Sequence, residues 1–227
     1  MAAWETPGTL SWKAVIFDLD GVIVDSEPVY LENLWAYVRG YRPEVTLEQM
    51  YDTVGRSAAD CWERVRTLMD DARPWEDIRR DYRSTTRKEL VLDYARIFRP
   101  QAALVLPELK ARGLKLALAS SSGLALVHQV LKETGIHSLF DVVVSGDMFR
   151  ESKPNPEIYH FTAASLGVPE PQCLAVEDST VGILAAKGAG MSVAALADLR
   201  FPFEQWRADY LIQDIRELLA LTMEKQA

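Results

Sequence analysis

The chain has 227 residues, 48% of them hydrophobic, and a formal net charge of −8. That length can bury a sizeable core as one domain or two. The acidic balance excludes a broad nucleic-acid footprint, so an anionic small molecule has to be caught by local positive charge. No apolar stretch reaches the roughly 18 residues of a membrane span. Residues 1–7 lack the basic start and apolar run of a secretion signal, and Cys61 and Cys173 lie far apart in sequence. Free thiols and a cytoplasmic location are therefore expected.

The first predicted strand covers 13–19 and closes in Phe17-Asp18-Leu19-Asp20-Gly21-Val22. Alternate side chains of a strand share a face, so Asp18 and Asp20 are expected to leave Ala14-Val15-Ile16-Phe17 pointing the same way. Two carboxylates that close repel unless a cation or a proton lies between them, and magnesium favours carboxylate and phosphate oxygens. Solvated turn aspartates are the bland alternative. Position favours the functional one, because parallel α/β sheets bind ligands at the carboxyl ends of their strands.

Between roughly 26 and 94 the texture changes, and no strand-like run occurs. Apolar residues recur at helical spacing: Tyr30, Leu31, Leu34 and Val38, then Cys61, Trp62, Val65 and Leu68, then Ile78 and Tyr82. An all-helical insert is predicted, with hinges near 24–25 and 95–99. Tyr30, Trp35, Trp62 and Trp75 are read as packing residues rather than a sugar-stacking surface. Glu27 suits either the N-terminus of the first insert helix or contact with a leaving group. Arg56, in Val54-Gly55-Arg56-Ser57, sits where a loop can project over the strand ends and read an anionic or hydroxyl-rich substrate. A surface salt bridge is its alternative.

Strands are predicted again near 115–119, 141–145, 173–176, 192–195 and 210–212. Helical patterns near 103–112, 124–134, 157–166, 181–189 and 215–223 separate them, which means a parallel sheet with helices on both faces. Leu116-Ala117-Leu118-Ala119 closes in Ser120-Ser121-Ser122-Gly123 before a helix. Serine hydroxyls and backbone N–H groups there make an anion site. Lys153 opens Lys-Pro-Asn-Pro-Glu157, in which two prolines hold the chain extended before the next helix. Leu174-Ala175-Val176-Glu177-Asp178-Ser179 is a further apolar strand closing in carboxylates. His128, His137 and His160 fall in no motif and are read as structural or exposed.

An aspartate pair, a serine, a lysine and an acidic pair, each near the end of a predicted strand and in this order, resembles the haloacid dehalogenase (HAD) superfamily. The resemblance covers nearly the whole chain. The flanking runs at 21–28, 152–159 and 177–191 look like the branch that contains β-phosphoglucomutase and small sugar-phosphate phosphatases. One departure is Pro100-Gln101, where that branch usually has Pro-Gly.

The resemblance implies an α/β, Rossmann-like core with helices on both faces, formed by 1–25 and 95–227, and an inserted helical cap domain at 26–94. It implies Mg2+ held by Asp18, the Asp20 backbone carbonyl, Asp178 and Glu177, the last directly or through water. Asp18 would be the nucleophile and Asp20 the acid and base. Ser120 and Lys153 would bind phosphate, with the N–H groups of Leu19 to Gly21 and of Ser121 as further donors. The implied function is a Mg-dependent phosphatase acting on a small phosphorylated metabolite, a sugar phosphate for preference, through an aspartyl phosphate. A phosphomutase of the β-phosphoglucomutase kind shares these residues, and a binding protein with an idle site is the alternative from another class. Hydrolysis is favoured over mutation because the mutases' cap histidine falls on Tyr30. Asp20 argues against dehalogenation, and the neighbourhood of Lys88 against phosphonate cleavage. No nucleic acid or membrane partner is implied, and the chain is expected to be a monomer or a small homo-oligomer.

Overall fold

The computed structural model describes residues 12–89 and 92–223. The expectation about residues 1–7 lies outside them. Six strands form one parallel sheet: β1 (Ala14–Phe17), β2 (Lys115–Ser120), β3 (Val142–Ser145), β4 (Cys173–Glu177), β5 (Ser192–Leu196) and β6 (Tyr210–Ile212), in the order β3-β2-β1-β4-β5-β6. Each predicted strand is present, within two residues at either end.

Alternation along the strands builds two different cores. Val15, Phe17, Leu116, Leu118, Leu174 and Val176 belong to one buried cluster. Their sequence neighbours Ala14, Ile16, Ala117, Ala119, Cys173 and Ala175 belong to another. A parallel sheet buried on both faces reads as continuous apolar runs, which is why β1 is fully buried at all four positions.

Between β1 and β2 lie α1 (Glu27–Tyr41), α2 (Leu47–Met50), α3 (Ala58–Met69), α4 (Trp75–Ser84) and α5 (Tyr94–Ile97). The core helices are α6 (Pro100–Ala111), α7 (Leu124–Thr134), α8 (Glu157–Leu166), α9 (Thr180–Gly188) and α10 (Leu218–Leu221). α6 and α7 pack on the bulkier sheet face, and α8 and α9 on the alanine-rich one. The helix predicted over 215–223 is instead a 3-10 turn at Ile215–Glu217 followed by the four residues of α10. A capping box between Asp214 and Glu217 starts that turn.

The inserted helices have a core of their own: Leu31, Leu34, Val38, Trp62, Val65, Ile78 and Tyr82 are buried together. The two crossings lie side by side. Val24 and Phe98 form an antiparallel bridge, Asp25 N–H donates to the Ile97 carbonyl at 2.7 Å, and Arg99 N–H to that of Ile23 at 3.0 Å. The second crossing therefore contains the short helix α5. Asp25 at the first crossing accepts from Arg99 at 3.2 Å and from Arg200 at 2.6 Å.

One contact is absent from the sequence reading. The segment that follows β5 carries Phe201 and Phe203 into the insert's apolar cluster. The Phe201 ring meets Tyr51 edge-on with centroids 6.0 Å apart, and Phe203 lies directly over Gly55. Phe201→Ala should lower the unfolding free energy by about 3 kcal/mol, the low end for truncating a buried phenylalanine. Urea unfolding measures this, and an unchanged midpoint would show that the aromatic clasp contributes nothing.

Candidate active site

Three neighbouring strands, β2, β1 and β4, end at the same edge of the sheet, and each ends in a polar residue. Asp18 follows β1, Ser120 closes β2, and Glu177 closes β4 with Asp178 next. Lys153 comes from the turn before α8. All five side chains are buried.

Lys153 organises them. Its ammonium donates to Asp18 Oδ1 at 2.7 Å, to Glu177 Oε1 at 2.6 Å and to the Ala119 carbonyl at 2.9 Å. Three acceptors satisfy its three protons, as a buried ammonium requires. Burial alone would lower its pKa, but Asp18 and Glu177 outweigh that and hold it well above the ordinary lysine value. Tyr159, wholly buried on α8, donates its hydroxyl to the same Glu177 oxygen at 2.5 Å.

Carboxylates nonetheless outnumber cations. Oxygens of Asp18, Glu177 and Asp178 lie within 4.8 Å of one another, with one ammonium among them. Burial, opposed by Lys153 and reinforced by Glu177 and Asp20, raises the Asp18 pKa to about 7. Burial, then Glu27, Glu177 and Asp18, holds Asp178 well above the carboxylate range. Three carboxylates around one ammonium, offering only hard oxygen donors, suit a divalent cation such as Mg2+. Two glycines make room for the carboxylates themselves. A Cβ on Gly21 would lie 1.9 Å from Asp178 Oδ2, and one on Gly182 would lie 2.0 Å from Glu177 Oε2.

Asp20 lines the same cleft as Asp18, as expected, but a turn rather than strand alternation puts it there. The strand ends at Phe17, and the chain then turns tightly, with Ile23 and Val24 N–H both donating to the Leu19 carbonyl. The Asp20 carboxylate is pinned by two hydroxyls, Ser26 on Oδ1 at 2.6 Å and Ser122 on Oδ2 at 2.8 Å. Its side chain is outside the three-carboxylate cluster. Gly21 N–H donates to the Val24 carbonyl at 2.8 Å, which removes it from the phosphate donors expected at that turn. Ser120 Oγ accepts from Ser122 N–H at 3.0 Å and keeps its own proton to donate.

Above this floor lies a cleft of about 480 Å³, the size of a small-molecule site. Asp18, Asp20, Asp178, Ser121 and Lys153 line it from the core, and Glu27, Tyr30, Arg56, Trp62, Arg79, Arg83 and Arg87 from the insert. Burial, then Asp20 and Asp18, raises the Glu27 pKa to about 8, so it carries a proton at neutral pH. Arg56 lines the cleft, but its guanidinium turns back to donate to the Asp52 carbonyl. Trp35 and Trp75 pack against the insert core as expected, Trp62 does so and also faces the cleft, and Tyr30 packs against the sheet-side core and faces the cleft. The three histidines are exposed, and His160 pairs with Glu170 at 2.8 Å.

Sequence reasoning missed Tyr159, Ser26, Ser122 and the arginines of α4. Tyr159 stands six residues after Lys153, one helical turn and a proline segment away, and only the packing of α8 shows that it reaches Glu177. The arginines at 79, 83 and 87 do carry a signal, a four-residue spacing beside the buried Ile78 and Tyr82.

A parallel sheet whose central strands end in carboxylates, with a buried lysine between them and a helical insert above, defines a hydrolase of the HAD class. The family model for haloacid dehalogenase-like hydrolases matches residues 15–196. The chain belongs to that family and is a hydrolase of the phosphatase kind. It is 30% identical over 181 residues to the phosphorylated carbohydrates phosphatase of Thermotoga maritima, covering 79% of this chain and 82% of that one. Hexitol phosphatase B of Escherichia coli is likewise 30% identical over 182 residues, covering 78% and 80%. Among solved structures, CbbY from Rhodobacter sphaeroides in complex with phosphate superposes with a TM-score of 0.69 at 26% identity, over 91% of this chain and 96% of that one. Among the described residues, no helix is long and apolar enough to cross a membrane.

Tyr159→Phe tests the support beneath the carboxylates. Glu177 loses a charge-assisted hydrogen bond in a buried site, so stability should fall by about 1.5–3 kcal/mol in denaturant titration. Equal stability of the variant and the parent would mean that the hydroxyl does not hold Glu177.

Proposed function

We propose that the protein is a Mg2+-dependent phosphomonoester hydrolase acting on a small phosphorylated metabolite, with residues 26–94 as a cap over a core of 1–25 and 95–227. The observation that carries the reading is the convergence of Asp18, Lys153 and Asp178 beneath the cleft, with Asp20 fixed beside them by Ser26 and Ser122.

Asp18 is the nucleophile. Its carboxylate attacks phosphorus in line, an O–P bond to Asp18 forms, and the bond from phosphorus to the leaving alkoxide breaks. Lys153 holds Asp18 Oδ1 and supplies positive charge where an anion must approach an anion. Asp20 gives its proton to the leaving oxygen and takes one from the water that next attacks the aspartyl phosphate. Both of its partners are hydroxyls, which can donate to the carboxylate or accept from the carboxylic acid, so they hold Asp20 in either state. Ser120, the Leu19 N–H and the Ser121 N–H bind phosphoryl oxygens.

Asp18, Asp178 and Glu177, with the Asp20 backbone carbonyl, would hold Mg2+. When bound, that ion neutralises charge between Asp18 and the phosphoryl oxygens. Glu27, protonated and facing the cleft, suits a hydrogen bond to a substrate hydroxyl. Tyr30 in the cleft, with the Arg87 guanidinium 4.2 Å from its ring centre, supports hydrolysis over a mutase reaction.

Asp18→Asn should reduce phosphate release by at least about a thousandfold on every ester, because an amide cannot attack phosphorus. Removal of Mg2+ by chelation should do the same reversibly in the parent. Substantial turnover by the folded variant, or a rate indifferent to chelation, would sink the reading.

A further inference from the structure

Several arginines of the insert have an acidic partner: Arg66 has Glu63 at 2.7 Å, Arg73 has Asp71 at 2.6 Å, Arg80 has Asp77 at 2.7 Å, and Arg56, which lines the cleft, has Asp52 at 3.9 Å. Arg39, on the outer surface, stacks on Trp35 instead. Arg79, Arg83 and Arg87 line the cleft, and none of them pairs with a carboxylate among the described residues. Arg79 and Arg80 are adjacent in sequence, so the contrast is one of facing.

Residues four apart on a helix lie on one side, about 6 Å apart along the axis. Arg79 and Arg83 are so placed on α4, and Arg87, in the 3-10 turn that follows, extends the row and stacks on Tyr30. Like charges held that close repel. Burial, and then Arg83, pulls the Arg79 guanidinium below its ordinary pKa. Three guanidiniums that line the cleft without a carboxylate partner among the described residues, in a chain of net charge −8, concentrate positive charge on the roof of the cleft.

The floor already holds Lys153 and the serine turn for the phosphoryl group that reacts. We propose that Arg79, Arg83 and Arg87 bind a second anionic group of the substrate, a distal phosphate or carboxylate, so that the substrate is a small phosphorylated compound charged at both ends. This rests on the phosphohydrolase reading and narrows its substrate class. The enclosing cleft, about 480 Å³ with Asp18 and Asp20 at its base, fits a small molecule.

Pairs of esters that differ only at the far end test this: 3-phosphoglycerate against glycerol 3-phosphate, and a hexitol 1,6-bisphosphate against the hexitol 6-phosphate. The anionic member of at least one pair should have a kcat/KM about tenfold or more above its neutral partner. Arg83→Gln and Arg79→Gln should each cut that anionic-to-neutral ratio about tenfold to a hundredfold, mainly through KM, as expected for losing a hydrogen bond between charged groups. Arg80→Gln, on the outer face, should leave the ratio where it was. Equal rates within both pairs, or a ratio that the inner arginine variants do not move, would overturn the second-anion site while phosphate release stands. Failure to release phosphate from all four esters and from p-nitrophenyl phosphate, with Mg2+ present, would instead overturn the hydrolase reading and this inference with it.

Discussion

The Lys153 ammonium is the contact on which the rest depends. It is buried, and it ties the ends of three strands together through Asp18, Glu177 and the Ala119 carbonyl. Removing one partner of such a buried pair typically costs about 3–5 kcal/mol, because the other is left charged and unpaired. One ammonium cannot balance three carboxylates, however. The fold brings Asp18, Glu177 and Asp178 together regardless, by placing them at the ends of adjacent strands β1 and β4 whose apolar bodies are fixed on both faces. Sheet burial thus supplies the energy that holds an electrostatically unfavourable site.

The same division of labour explains the insert. Its apolar core faces inward among its own helices, and it meets the sheet domain at the bridged crossings and through Phe201 and Phe203. Asp25 at the crossing is held by Arg99 and Arg200, and Ser26 next to it holds Asp20. The insert's crossing and the Asp20 carboxylate are therefore linked through two consecutive residues.

Much of this was legible in the sequence, because it rests on period and punctuation. Apolar runs of four to six residues ending in Asp18, Ser120 and Glu177 marked both the strands and the edge where ligands bind, and the helical spacing of the insert was plain. That Asp20 shares a side with Asp18 was legible, but the turn at 20–24 that puts it there once the strand stops was not. Tyr159 and the Phe201 clasp were hidden for a related reason: each acts across elements whose packing no local pattern encodes. Arg56 was chosen for its loop and glycine, yet Asp52 engages it. The four-residue spacing of Arg79, Arg83 and Arg87 marks a shared side, and the cleft shows which side that is.

The imbalance of charge at the site is open to direct measurement. Burial and neighbouring carboxylates raise the Asp18 pKa to about 7 and push the Asp178 pKa well above the usual range, so protons compete with a cation for these oxygens. A divalent cation that takes up these oxygens must displace them. Calorimetric titration of the metal-free protein with Mg2+ at pH 7, in buffers of different ionisation enthalpy, should give one ion per chain and a net release of protons. Binding with no proton release, or no saturable binding at all, would contradict a cluster built to be neutralised by a divalent ion.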